Sequence, residues 1–380
     1  MFLTNSDMVE LIEFRHRLHA HPEVSGEERW TADAVVTALG DGPDEIVTGI
    51  GGYGVAAVFN GEDDGPTVMF RSELDALPIA EIGDIGYKST VPGKGHLCGH
   101  DGHTAILTAL ARGLERQRPA RGRVVLMFQP AEETGAGAAA VIADPKFAAI
   151  APDYAFALHN YPGVPLGEAR ISPGPSNCAS RGMRIVLSGR TAHASAPETG
   201  ISPVQAVAEL APALTSLSAG SVRDSGFRLA TITHARIGEP AFGIAPGYGE
   251  VWVTLRTLTD DGMDALVADA EAITSEAAAR HRLGIGIEYH DIFHHCENDP
   301  EAVDILRAAF DAEGIAHSDG MPMRASEDFG LFGRRARSAM FMFGSGETYP
   351  QLHNPDFDFP DALIEPGARI FMRVARDLLG

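Results

Sequence analysis

Nine consecutive residues, Gly95-His96-Leu97-Cys98-Gly99-His100-Asp101-Gly102-His103, hold three imidazoles, a thiol and a carboxylate. Cys98 and His100 are too close in sequence to share a helix face, but in an extended turn they can converge on one point. Neutral imidazole and thiolate suit zinc, nickel or another borderline metal better than magnesium or calcium. A histidine-rich turn without an ion is the plain alternative, and ligand-type residues elsewhere weigh against it. Glu132-Glu133 ends the apolar run 123–128. Neighbours in an extended chain point opposite ways, so one carboxylate can hold a metal while the other faces a bound water as general base. His159 ends a second apolar run, and His353 follows a loop rich in Gly, Tyr and Pro. With Cys98, His100 and Glu133 these make five ligands, too many for one tetrahedral zinc that keeps an open position. They fit two ions about 3.5–4 Å apart.

A second dense group, His290, His294, His295 and Cys296, has no acid-bearing strand exit beside it, so no second metal site is expected there. His16, His19 and His21 read as surface or packing residues.

Periodicity gives the elements that must position these side chains. Residues 6–21 have helical spacing and stop at His21-Pro22. Ser25-Gly26-Glu27-Glu28 has the form of a capping box opening a helix through residue 39. Strands are predicted at 54–59, 67–71, 123–128 and 154–158, with a helix from 103 to 114 directly after the metal-like turn. The second strand exits into Glu73-Leu74-Asp75. Ligand-type residues thus recur where strands end, the edge at which open α/β sheets bind ligands. From about residue 178 the order becomes β-α-β-β-α-β, a ferredoxin-like unit. The expected fold is α/β: a domain with a helix-flanked mixed or parallel sheet (1–177 and 292–380), interrupted by an inserted ferredoxin-like domain (178–291).

The 380-residue chain carries 30 basic and 52 acidic residues, a net charge of −22. That balance repels phosphate backbones and anionic lipids, which disfavours nucleic-acid and membrane-surface roles. No apolar run approaches the ~20 residues of a membrane span, and no signal peptide is expected at the N-terminus. Cys98, Cys178 and Cys296 are odd in number and widely spaced, which fits a reducing cytoplasm.

The strings CGHDGH (98–103), QPAEETGAGA (129–138), ALHN (157–160), GRTAHASAPETG (189–200), SEDFGLF (326–332) and LHNPDFDF (352–359) occur in this order. Together they resemble the dinuclear metallopeptidase family of aminoacylases, hippurate hydrolases, auxin-conjugate hydrolases and bacterial carboxypeptidases. The resemblance implies metal ligation by Cys98, His100, Glu133, His159 and His353, with Glu132 as general base and Asp75 in the catalytic set. It implies that the first domain is catalytic and the inserted one a lid or dimerisation domain, that His193 contacts the substrate carbonyl, that Arg256 binds the substrate carboxylate, and that chains pair through the lid as homodimers. Two departures stand out: Glu73 where such enzymes usually carry aspartate, and Gly243 where the lid commonly carries asparagine.

The expected activity is hydrolysis of N-acyl amino acids by two divalent ions per chain, zinc or manganese in the first instance, with nickel or cobalt as alternatives. A dipeptidase or carboxypeptidase uses the same chemistry on a different acyl part. A non-catalytic amide-binding protein would not need Glu132 beside Glu133.

Overall fold

Apolar runs separated by turns build an eight-stranded sheet in the computed structural model, which describes residues 2–380. Its strands lie in the order Glu45–Ile50, Gly54–Asn60, Arg121–Gln129, Asp63–Glu73, Tyr154–Pro162, Arg337–Gly346, Ala169–Arg170 and His317–Ser318. The neighbours from Arg121–Gln129 through Arg337–Gly346 run parallel, and the Gly54–Asn60 and Glu45–Ile50 strands are antiparallel to their neighbours. Parallel strands covered on both faces need unbroken apolar runs, and residues 124–128 are all fully buried. Register places Glu73 beside Gln129 and His159 beside Met342, so the carboxyl ends line one edge. The expected α/β class with a mixed, helix-flanked sheet is what the chain adopts.

The helix His100–Arg116 is buried along nearly its whole length and packs on Ile364–Leu379. Phe70 lies between Phe156 and Phe371, at ring-centroid distances of 5.9 and 4.8 Å. Each fully buried phenylalanine of this layer contributes about 1.5–3 kcal/mol. This sheet and its helices form one unit, made of residues 2–176, Cys296–Met321 and Glu327–Gly380.

A second unit takes Asn177–His295 and Pro322–Ser326. Its four strands are antiparallel, in the order Arg228–Ile237, Tyr248–Thr257, Ala179–Ser188 and Gly284–Phe293. Helices Val204–Thr215 and Asp260–Arg280 bury Leu210, Leu214, Met263 and Leu266 with Met183, Ile185, Val251 and Val253 of the strands. Numbered by position in the unit, the strands lie 2-3-1-4, the arrangement of a split βαβ. Residues 292–295 group with this unit because His294 and His295 both hold Asp260, at 3.0 and 3.2 Å.

Several local expectations change. The strand Glu45–Ile50 precedes those anticipated, and the next but one begins at Asp63, ahead of the predicted start at residue 67. Ser25 does not cap a helix: Arg29–Leu39 starts after Glu28 with no side-chain cap, and the capping box lies at Thr4–Asp7. Of the histidines read as surface or packing residues, His19 is a packing one: it is buried and its Nδ1 sits 2.9 Å from Asp101. Burial works against charging His19, but Asp101 outweighs it and raises its pKa to about 9. No helix among the described residues is long and apolar enough to cross a membrane.

Candidate active site

The parallel strands deliver their side chains at one edge, and the turns that follow are tightly specified. Gly99 starts the helix His100–Arg116 at φ 98°, and a Cβ there would lie 2.2 Å from Asn160 Oδ1. Only glycine fits this left-handed, crowded position. Ala131 (φ 51°) and His353 (φ 65°) are non-glycine residues held in the same disfavoured region. Ala131 N donates to Glu28 Oε1 at 2.8 Å, and His353 N donates to Leu97 O at 2.8 Å. Such strain persists where surrounding contacts over-determine the backbone, as they do beside Glu132 and at His353 itself.

Potential ligand atoms converge in overlapping groups, within 4.8 Å of one another in each. One group is Cys98, His100 and His159, another is Cys98, Glu133 and His353, and a third is His100, Glu132 and Glu133. Cys98 is common to the first two; its Sγ lies 3.5 Å from His159 Nε2. The five residues expected to hold metal are therefore together. Backbone carbonyls orient the imidazoles: His100 Nδ1 donates to Asp75 O and His159 Nδ1 to Asn160 O, both at 2.8 Å. Each ring thereby turns Nε2 into the cluster. Asp75 belongs to none of the groups among the described residues. Its Oδ2 accepts from Ser25 Oγ at 2.7 Å and from Glu133 N at 3.0 Å, so it positions the strand exits.

The donor set fits a borderline divalent cation. Among the described residues, buried His100 Nε2 and Glu133 Oε1 have no hydrogen-bond partner, a costly arrangement that a bound cation would relieve. Burial, then the neighbouring carboxylates Glu327 and Glu133, hold Glu132 well above the usual carboxylate range. Burial lifts Glu133 to about 7, and burial with the Glu133 charge raises the Cys98 thiol. Burial and His103 push His159 down to about 3, leaving its imidazole neutral and ready to ligate. At neutral pH the Cys98 thiol keeps its proton and Glu133 is about half protonated, and a cation displaces these protons. Metal uptake should therefore release about one proton or more per chain and weaken as pH falls below 7. Calorimetry in buffers of different ionisation enthalpy measures this, and uptake without proton release would contradict it.

Beneath the cluster lies a charged layer that sequence reading missed. Arg71, fully buried, donates from Nε to Gln129 Oε1 at 2.9 Å and from Nη2 to Glu327 and Asp328 at 2.9 and 2.7 Å. It also pairs closely with Glu73, whose other oxygen accepts from His103 Nδ1 at 2.7 Å. His103 Nε2 meets the Asn160 amide at 2.6 Å. The longer side chain at position 73 is thus used to bridge Arg71 and His103. Glu327 and Asp328 form a further close group with Glu132. A charge ending the apolar run Val68-Met69-Phe70-Arg71 is the signal that could have marked this layer. On the other side of the metal-like turn, Arg15 pairs with Asp101 and Asp358 at 3.1 and 2.7 Å.

His193 and Arg256 lie in the second unit. His193 is exposed on a two-residue strand paired with Ile244–Ala245, and its Nδ1 accepts from Ser195 N at 3.1 Å. That bond assigns the ring hydrogen to Nε2, which makes His193 an outward-facing donor. Arg256 Nη1 donates to Arg324 O and Ser326 Oγ at 2.8 and 2.9 Å. Its Nε and Nη2 hydrogens take no part in those bonds. Neither His290 nor the His294–His295–Cys296 run joins any metal-type group among the described residues. Cys296 Sγ donates instead to Glu327 O at 3.1 Å.

The profile of Peptidase family M20/M25/M40 matches residues 69–377. The chain belongs to that family. Among M20-type relatives it is 30% identical over 372 residues to an N-acetyl-L-cysteine deacetylase of Bacillus subtilis, covering 97% of this chain and 88% of that one. It is also 30% identical over 370 residues to a hippurate hydrolase of Campylobacter jejuni, covering 96% of each. A crystal structure of the Bacillus subtilis YXEP protein, described as a dinuclear metal-binding peptidase of family M20, superposes with a TM-score of 0.84 at 25% identity and covers 99% of both chains. The chain is accordingly an M20 hydrolase acting on amides, built on a scaffold that accommodates two divalent ions.

Proposed function

We propose that this M20 hydrolase cleaves N-acyl amino acids into a carboxylate and a free amino acid. The observation that carries the reading is Glu132, a buried carboxylate 3.9 Å from His100 Nε2 and adjacent to the ligand set, with its own group of charged neighbours. Two divalent ions, zinc or manganese, held by Cys98, His100, Glu133, His159 and His353 would acidify a water and polarise the scissile carbonyl. Cys98, common to both ligand groups, is the candidate for a shared thiolate. Glu132 takes the water's proton and passes it to the departing amine. His193 donates Nε2–H to the oxygen that gains charge. Arg256 retains enough guanidinium hydrogens for a two-point contact with the substrate carboxylate. A relative named thermostable carboxypeptidase 2, from Saccharolobus solfataricus, is 28% identical over 369 residues, which keeps peptide-like acyl groups in view. Assays on acetyl, benzoyl and dipeptide substrates test the reading: release of amino acid from an acyl substrate supports it, and no release from any removes it.

Unit geometry bears on how the site is completed. Gly189 N bonds Gly247 O where the His193 hairpin leaves the sheet, whereas Arg256 pairs with Ser180 near the far end of the same strands. From Tyr248 to Arg256 the extended strand spans roughly 25 Å, while a dipeptide-sized substrate spans roughly 10 Å. On this reading one chain's His193 and Arg256 serve different substrates, and a homodimer paired through this unit would supply the missing partner reciprocally. Mixing inactive Glu132→Ala and His193→Ala chains should restore roughly a quarter of wild-type activity if His193 crosses to the partner site. Silence there, and also between Glu132→Ala and Arg256→Ala, in dimers shown to exchange would end the proposal.

A further inference from the structure

The second unit exposes one aromatic ring completely. Phe242 has 108% of its reference surface accessible and Ile244, two residues on, has 54%. Gly243 lies between them with nothing within 4 Å of where its Cβ would stand. The hairpin that carries them is fastened to the strand of His193. Ile244 pairs with His193, Ala194 N donates to Gly243 O at 3.0 Å, and Gly189 N donates to Gly247 O at 2.7 Å. Phe242 therefore travels with His193 on a bonded backbone. It packs into neither hydrophobic cluster of this unit, so the fold gains nothing by keeping it.

We infer that Phe242, with Ile244 behind it, is the apolar surface that receives the acyl group of the substrate, and that it selects bulky apolar acyl groups over acetyl. This rests on the N-acyl amino acid reading. If His193 Nε2–H meets the carbonyl oxygen, the acyl substituent is one bond from the carbonyl carbon and falls beside the same hairpin. The amino-acid half leaves the carbonyl carbon through its nitrogen, on the other side. A small number of polar donors set in an apolar wall is how ligand sites combine orientation with affinity. An acetyl methyl is too small to cover a phenyl ring, whereas a benzoyl ring or a medium alkyl chain can stack on it.

The test is the ratio of kcat/KM for N-benzoyl over N-acetyl derivatives of one amino acid, measured on the intact, metal-loaded enzyme. Wild type should favour benzoyl, and Phe242→Ala should lower the ratio by about tenfold, mainly through KM for the benzoyl substrate. Phe242→Leu should recover part of it, and the melting temperature of both variants should match wild type because no core contact is lost. An unchanged ratio in an active Phe242→Ala enzyme overturns the inference and leaves the amidohydrolase reading intact. Loss of dimer by sedimentation in Phe242→Ala also overturns it, because the ring would then be covered by the second chain. Wild-type enzyme that cleaves neither substrate removes the reading itself, and this inference with it.

Discussion

Replacing Glu132 by glutamine is expected to lower turnover by about 10²–10⁴ while metal content stays at its wild-type level. Glutamine keeps the volume of the buried side chain and removes its ability to take a proton. Glu133 lies in a group with Cys98 and His353, and Glu132 does not, so loss of Glu132 leaves that ligand set whole. The neighbouring acids Glu327 and Asp328 pack close to Glu132 and are well placed to keep it a strong base. Metal analysis alongside single-turnover rates checks the assignment. Loss of metal together with activity would make Glu132 a ligand, and undiminished turnover would exclude it from proton transfer.

Replacing Arg71 by methionine should cost about 3–5 kcal/mol of stability, because it strands buried carboxylates that share one guanidinium. Glu73, Glu327 and Asp328 all pair with Arg71, and Gln129 takes its Nε hydrogen. Arg71→Lys should recover only part of the loss, since an ammonium cannot reproduce the planar fork that reaches these groups together. Urea unfolding measures both variants. The same substitutions should slow catalysis, because Glu73 holds His103 and Glu327 lies against Glu132. An Arg71→Met protein of wild-type stability would show that the carboxylates are protonated or hydrated independently of Arg71.

Reading from sequence succeeded where a property is periodic or a ligand type is rare. Apolar runs at 123–128 and 154–158 marked strands, and the acids and histidines at their exits lie at one sheet edge because parallel strands share a direction. The β-α-β-β-α-β order of the inserted unit was legible for the same reason. Buried polar networks left no such trace. Arg71 finds Glu327 across 256 positions, and His19 finds Asp101 across 82, so neither pairing has a local pattern. Ser25 had the composition of a helix cap, but tertiary structure gave its hydroxyl to Asp75. Strand register was likewise needed to see that Arg256 lies near the end of its sheet away from where the His193 hairpin departs.

On the proposed reading, the cluster around Cys98 holds the ions that make amide hydrolysis possible. Stripping the protein with a chelator and returning manganese or zinc stepwise, with bound metal and hydrolysis of an N-acyl amino acid followed together, tests it most directly. No hydrolysis is expected without metal, and activity should plateau at about two bound ions per chain. Full hydrolysis by the metal-free protein, or the same plateau in a chain carrying both Cys98→Ala and Glu133→Ala, would contradict it.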